Sequence, residues 1–382
     1  MQRPPFDCIA LLLQGGGAMG AYQGGVYQAL AEAKLHPDWV AGISIGAINS
    51  AIIAGNAPEQ RVDRLRAFWE LVSAPAGGAL AAAWFGNFLG AASDAIHGLA
   101  DQFSAGQVIM RGVPGFFSPR FPPPWLSPAG SGAATSFYDT GALKATLESM
   151  IDFDRINARE TRLSVGAVNV RTGNFAYFDN ETQPIRPDHV MASGALPPGF
   201  PAIEIDGEHY WDGGLVSNTP LQWMVDSESR RDTLAFQVDL WSARGDLPAD
   251  LAGVAIRQKE IQFSSRTRAG GDQLKELQKI RGELAQLLER LPDDLKASPD
   301  IAHLVSFSDP KVYNVVQLIY RSKAYEGNTK DYEFSRGSME DHWSAGYEDA
   351  LRALSHKRIF ARPDRADGYF SFDFAEADPI AK

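Results

Sequence analysis

Ser44 lies in Gly42-Ile43-Ser44-Ile45-Gly46, between a short apolar run at residues 39–43 and a helix-like stretch at residues 47–54. Glycine two residues before and two after a serine calls for a strand that reverses sharply into a helix, with the serine held in a strained conformation and its Oγ exposed. Side chains at Gly42 or Gly46 are expected to collide with neighbouring backbone, and only glycine tolerates that approach. The helix that follows aims its N-terminal dipole at the serine, which eases loss of the hydroxyl proton. Three fixed positions also recur by chance in ordinary turns. The pentapeptide therefore gains its weight from the segments around it.

Upstream, Cys8-Ile9-Ala10-Leu11-Leu12-Leu13 reads as a buried strand, continuous in apolar residues as parallel-sheet strands are. It runs into Gln14-Gly15-Gly16-Gly17-Ala18-Met19-Gly20, and a helix follows with apolar residues at Ala21, Val26, Ala29 and Leu30. Free N–H groups of a glycine loop at a helix start form an anion site, suited to a phosphate or to the oxyanion of a tetrahedral acyl intermediate. The loop also satisfies Gly15-x-Gly17-x-x-Gly20, the dinucleotide fingerprint. That reading expects an acidic residue at the far end of the second strand to hold a ribose. Asp38 has roughly the right distance from the loop but precedes Trp39-Val40-Ala41, and the end of that strand carries Ser44 instead. Dinucleotide binding is set aside.

Further on, Trp211-Asp212-Gly213-Gly214 follows an alternating segment, Ile203-Glu204-Ile205 and His209-Tyr210-Trp211. Asp-Gly-Gly is usually a hairpin or loop turn, and alone it reads as one. Its functional reading is a carboxylate at a strand end, with Gly213 and Gly214 leaving room beside a nucleophile.

Taken in order, Gly15-Gly16-Gly17-Ala18-Met19-Gly20, Gly42-Ile43-Ser44-Ile45-Gly46-Ala47-Ile48-Asn49, Ala192-Ser193-Gly194-Ala195-Leu196-Pro197 and Asp212-Gly213-Gly214 resemble the patatin-like phospholipase family. Two later segments, Ile261-Gln262-Phe263-Ser264-Ser265-Arg266-Thr267-Arg268 and Lys330-Asp331-Tyr332-Glu333-Phe334-Ser335-Arg336, resemble a C-terminal extension found on some bacterial patatin-like proteins. The resemblance implies a three-layer α/β/α fold with a mostly parallel central sheet. It implies a Ser–Asp dyad, Ser44 as nucleophile and Asp212 as base, with no cofactor and no metal. Backbone N–H groups of Gly16 and Gly17, flanked by Gly15 and Ala18, are implied as the oxyanion hole. The implied function is a serine acyl hydrolase (lipase, phospholipase or esterase) that cleaves lipid carboxylic esters through an acyl-Ser44 intermediate. One departure is Met19, where other members often carry Arg or Lys. It leaves the backbone donors intact and removes a cationic contact to a phosphate head group. A rival reading is therefore a catalytically weak lipid-binding or regulatory protein on the same fold.

The residues bear on mechanism independently. A nucleophilic serine usually takes histidine as base, but none of the 7 histidines, His36, His97, His189, His209, His303, His342 and His356, stands in a triad context. A free aspartate, with a pKa of about 3.9, is a poor match for a serine proton. Burial beside Trp211, and proton transfer concerted with attack, make it workable.

A net charge of −11 over 382 residues argues against nucleic acid as a partner and against simple electrostatic adhesion to an anionic bilayer. The 1 cysteine, Cys8, rules out an internal disulfide framework and a cysteine zinc cluster. It falls in the first buried strand, where inert packing is expected. The apolar run ending before Gln14 is short for a signal-peptide core and no stretch approaches transmembrane length. The expectation is a cytoplasmic protein acting on a lipid or acyl-ester substrate, with peripheral contact at a membrane or lipid droplet as a further expectation.

Along the chain, residues 1–240 read as the acyl-hydrolase core and 241–382 as the extension, mainly helical with one strand at about 312–320. Helices are expected near residues 62–72, 141–150, 187–194 and 339–354, strands at 163–170, 175–178 and 234–240, and Thr219-Pro220 as a helix cap. Between them, residues 74–135 are rich in Gly, Ala, Pro and aromatics with few charges. Trp84, Phe85, Phe88, Leu89, Phe103, Phe116, Phe117, Phe121 and Trp125 fall there. Two readings stand level: a loop insertion whose aromatics pack on the core, or a flexible cap that meets acyl chains or a lipid surface. Residues 272–291 show leucines in near-heptad spacing. The first reading is a helix packed on its own domain; a dimer or membrane-surface contact through that helix is the second.

Overall fold

A computed structural model describes residues 3–73, 108, 110–227, 230–264, 267–321, 330–363 and 368–374. In the first part, strands and helices run β1 Cys8–Leu13, α1 Ala21–Glu32, β2 Trp39–Ile43, α2 Ile45–Ala54 and α3 Arg61–Val72. A small antiparallel pair, β3 Ser118–Pro119 with β4 Tyr138–Asp139, precedes α4 Gly141–Met150 and α5 Phe153–Asn157. Next come β5 Arg162–Asn169, β6 Phe175–Asp179, α6 Pro187–Ser193, β7 Ile203–Ile205, β8 Glu208–Asp212, α7 Leu221–Asp226 and β9 Thr233–Asp239. The chain continues through α8 Leu251–Phe263, α9 Thr267–Glu289, α10 Asp293–Lys296, α11 Ala302–Phe307, β10 Tyr313–Ile319, α12 Arg336–Ser355 and β11 Tyr369–Asp373.

One sheet organises these elements, in the order β11-β10-β9-β1-β2-β5-β8-β7, with β6 paired to β5. From β11 to β5 every neighbouring pair is parallel; β6, β8 and β7 join antiparallel. The central strand explains the layers. In β1 the odd residues Ile9, Leu11 and Leu13 enter a core shared with α1, α2, α3 and α12, while Cys8, Ala10 and Leu12 enter a second core with Leu221, Met224 and Val225 of α7 and Leu274 of α9. A strand buried on both faces needs helices on both, hence the continuous apolar run. The three-layer, mostly parallel architecture is as the sequence led us to expect. Cys8 is packing, and burial pushes its thiol up to about 11. Among the described residues no helix is long and apolar enough to cross a membrane.

Residues beyond 240 contribute to the same sheet. β10 pairs with β9, with Tyr313 opposite Thr233, and β11, a second strand where the sequence reading has one, pairs with β10. Its alternating Tyr369-Phe370-Ser371-Phe372-Asp373 is short and half exposed, so it carries little strand signal. Leu274 and Leu288 of α9 are buried within the chain, and Gln278 donates to the carbonyls of Asp309 and Lys311. Thr219 does not cap α7; Gln14 donates to its hydroxyl instead.

The tightest junction joins α1 to α12. A Cβ on Gly25 would lie 1.9 Å from the Trp343 carbonyl oxygen, and one on Gly346 would lie 2.0 Å from that of Tyr22. The two helices thus touch backbone to backbone, and side-chain bonds flank the crossing. Tyr22 donates to Asp349 and Trp343 to Gln28, each at 2.7 Å. Because α1 is the helix that follows the glycine loop, the late part of the chain braces the loop. Gly25→Ala is expected to cost about 2–3 kcal/mol or more of unfolding free energy, as overpacked sites do. Gly132→Ala, where a Cβ meets nothing within 4 Å, should stay within about 0.5 kcal/mol. Urea unfolding of the two variants measures both.

Candidate active site

Sheet register brings the sequence-predicted residues to one edge. Leu13 pairs with Gly42 in parallel, which sets Gly15 level with Ser44, and a Cβ on Gly15 would lie 2.9 Å from the Ser44 Cβ. Ile43 pairs with Gly166, and the next residue of β5, Ala167, lies opposite Asp212 on β8. β8 runs against β5, so its last residue, Asp212, returns to the row that Ser44 occupies. Residues far apart in sequence thus converge on one side of the sheet, where β1, β2 and β8 end.

Ser44 has φ 56°, a left-handed conformation rare for a non-glycine residue, and immediately precedes α2. The expected collisions are there. A Cβ on Gly42 would lie 2.2 Å from the Gly46 carbonyl oxygen, and one on Gly46 2.3 Å from that of Leu13. Ser193, in the Ala192–Pro197 motif to which the sequence reading gave no role, secures the turn. Its fully buried hydroxyl accepts the Ser44 N–H at 2.9 Å and donates to the Gly166 carbonyl at 2.6 Å.

In the glycine loop the N–H groups divide into two pairs. Gly15 donates to Asn218 Oδ1 at 3.1 Å, and Ala18 donates to the Asp331 carbonyl at 2.9 Å. Among the described residues nothing accepts from Gly16 or Gly17. Gln14 anchors the approach: its side-chain oxygen accepts from Leu240 and Trp241, and its amide nitrogen donates to Thr219 and Phe263. Asn218 and Gln14 give no motif-level signal, since the bonds Asn218 makes to Gly15, and Gln14 to Thr219, Leu240 and Trp241, each span more than two hundred residues of chain. Met19 is fully buried in the core beneath the loop.

Asp212 is 2% exposed. Burial pushes its pKa up to about 6, against the opposing pull of the Ser44 side chain and the Gly214 N–H, which donates to Oδ1 at 2.7 Å. Ser44 and Asp212 line the same cavity, with the Asp212 carboxyl in a dry setting. Gly213 lets β8 end against β5, since a Cβ there would lie 2.7 Å from the Gly166 carbonyl oxygen. None of the described residues around Ser44 and Asp212 in the cavity is a histidine. His189 is buried against Phe178, accepts the Arg186 N–H, and is held near pKa 4, mostly by burial. His342 packs on Tyr320.

Ser44, Asp212 and the glycine loop open on a cavity of about 380 Å³. Its aromatic wall draws on separate parts of the chain. Phe116 lies 5.9 Å from Phe200 and 6.1 Å from Phe334, and Phe117 lies 4.9 Å from Tyr138, ring centre to ring centre. Phe116 and Phe117 of the aromatic-rich segment are buried against the core and also line this cavity. Phe121 and Trp125 are exposed, at 97% and 73%. Trp84, Phe85, Phe88, Leu89 and Phe103 lie outside the described residues.

Ionising Asp212 opposes folding. Its carboxyl binds a proton more tightly in the folded chain, so its contribution to stability is greatest below the ordinary value of 3.8 and is lost as pH rises through about 6. The difference corresponds to about 3 kcal/mol. Asp212→Asn, which carries no charge, is expected to melt higher than the parent protein at pH 8, with the free-energy gap shrinking to about a third by pH 4.5. Calorimetry at the two pH values tests this, and a gap that does not depend on pH would contradict it.

Residues 11–224, more than half of the chain, match the sequence profile of the patatin-like phospholipase family, and residues 261–366 match one described as patatin phospholipase. No curated protein matches the chain. Among solved structures, VipD from Legionella pneumophila is similar at 15% identity and a TM-score of 0.38, over 93% of this chain and 70% of that one. With strand, glycine loop, serine turn and Asp-Gly-Gly all inside the first matched region, the chain belongs to the patatin-like phospholipase family.

Proposed function

We propose that the chain hydrolyses carboxylic esters of lipids, with Ser44 as nucleophile and Asp212 as base. The observation that carries this is the pairing of a serine held at positive φ with a buried carboxyl of pKa about 6, on the floor of an apolar cavity. Family membership supports lipid esters as the substrate class.

The chemistry runs as follows. An acyl chain lies against Phe116, Phe117, Phe200 and Phe334, which sets the ester carbonyl over Ser44. As Oγ attacks, its proton passes to Asp212, whose raised pKa narrows the mismatch with a hydroxyl. Negative charge developing on the carbonyl oxygen is met by the N–H groups of Gly16 and Gly17, each worth about 3 kcal/mol of barrier. Collapse expels the alcohol, which takes the proton from Asp212, and leaves acyl-Ser44. Water then gives a proton to Asp212 and attacks the acyl carbon, and the carboxylic acid leaves as Ser44 Oγ takes that proton from Asp212. Since Met19 is buried, the loop adds no charge for a phosphate head group, and selectivity rests on the acyl contacts. Exposed Phe121 and Trp125 support peripheral contact with a lipid surface.

Ser44→Ala is expected to lower kcat for a p-nitrophenyl ester at least about 10⁴-fold, and Asp212→Asn at least about a hundredfold, with folding intact. His189→Ala and His209→Ala should keep most activity in folded protein. The rate kcat/KM should rise about tenfold per pH unit and level off above about 6, because Asp212 acts ionised. A histidine variant as inactive as Asp212→Asn would replace the dyad with a triad. Tight lipid binding without turnover by the parent protein would favour a binding or regulatory role.

The aromatic wall gives a second test. Phe116→Ala and Phe200→Ala should depress hydrolysis of long-chain esters roughly tenfold more than that of short-chain ones, since each buried ring contributes about 1.5–3 kcal/mol to apolar contact. Equal loss on both substrates, with a lowered melting temperature, would make these rings core only.

A further inference from the structure

The glycine loop is held from outside by residues 330–334. The main-chain carbonyl of Asp331 accepts the Ala18 N–H at 2.9 Å and comes so near Gly17 that a Cβ there would lie 2.1 Å away. Gly17 itself has φ 56°, so the close approach and the left-handed turn coincide at one residue. With Gly15 tied to Asn218 and Ala18 tied to Asp331, the donors left for a substrate are those of Gly16 and Gly17. The Asp331 carbonyl thus takes part in deciding which N–H groups face the cavity.

Side chains clamp this segment in place. Lys259 of α8 donates to both Asp331 carboxylate oxygens, at 3.0 and 3.1 Å, and also meets the Tyr332 hydroxyl. Lys330 donates to Glu260 at 2.9 Å, and its ammonium lies 5.1 Å from the Trp241 ring centre. Trp241 in turn donates from its indole to the Gly15 carbonyl at 3.0 Å. Phe334 stacks on Trp69, while Asp331, Tyr332 and Phe334 all line the cavity.

We propose that Lys259 and Asp331 are positioning residues for ester cleavage: their ion pair seats the Asp331 carbonyl on the Ala18 N–H, and that seat aims the Gly16 and Gly17 N–H groups at the oxyanion. The proposal rests on the ester-hydrolase reading above. It gives the late part of the chain a role in the chemistry as well as in the sheet. A structural tether changes stability, whereas misaimed donors slow the chemical step and leave substrate binding nearly alone.

Lys259→Met, Asp331→Asn and Lys259→Arg in the full chain, all checked for folding by near-ultraviolet circular dichroism, test it. Two readouts are needed: hydrolysis of p-nitrophenyl butyrate, and amide hydrogen exchange at Ala18 followed by mass spectrometry. Lys259→Met and Asp331→Asn should lower kcat roughly tenfold to a hundredfold, with KM within about twofold. Exchange at Ala18 should quicken at least about tenfold in both. Lys259→Arg, which keeps the cation, should hold kcat within about threefold of the parent. Wild-type kcat and wild-type exchange in folded Lys259→Met and Asp331→Asn would overturn the proposal. Should the parent protein cleave no ester, the hydrolase reading falls, and a protected Ala18 amide that Lys259→Met exposes still upholds the seat. An unprotected Ala18 amide in the parent overturns the seat outright.

Discussion

The reversal at Ser44 is the constraint on which the site depends. A non-glycine residue at φ 56° costs of order 1–3 kcal/mol and persists only where its surroundings leave no alternative. Here those surroundings are backbone. Gly42 and Gly46 let the turn close on itself and lean on the end of β1, so the serine turn and the glycine loop are packed as one unit. Ser193 removes the remaining freedom by accepting the Ser44 N–H and bonding across to β5. The strand that carries the glycine loop and the strand that carries Ser44 are neighbours for the same reason, and a fixed distance between Ser44 and the loop N–H groups follows.

Asp212 shows the opposite balance. Its burial is unfavourable to the charge that the proposed role as base requires, and the Gly214 N–H and Ser44 offset only part of that penalty. A histidine base would need no such desolvation, since its ordinary pKa already lies near neutrality. A carboxyl in a dry site reaches a similar range from the other side. Local strain and a buried charge are what one expects where chemistry is placed, on a scaffold that is otherwise internally consistent.

Much of this was legible in the sequence. Cys8–Leu13, Trp39–Ile43 and the helices after them follow from apolar runs, glycine punctuation and helical spacing, which are local signals. Ser44 and the loop glycines were legible because their motifs encode local backbone geometry, whereas Asp212 alone reads as a turn and was singled out only through the family resemblance. What stayed hidden depends on contacts across the chain. Asn218 and Gln14 bind partners that no spacing rule links to them, and Thr219 looked like a cap because Ser and Thr usually are one before a helix. β11 is short and half exposed, so neither run length nor periodicity marks it. Asp331 acts through its main-chain carbonyl, which side-chain identity cannot advertise.

The most direct measurement of the dyad is fluorophosphonate labelling of the purified chain across pH 4.5 to 8, with the modified residue located by peptide mass spectrometry. The account predicts a single adduct on Ser44, formed at a rate that rises with pH and levels off above about 6, as Asp212 ionises. An adduct on another serine, or labelling of Ser44 at a rate that does not change with pH, would contradict it.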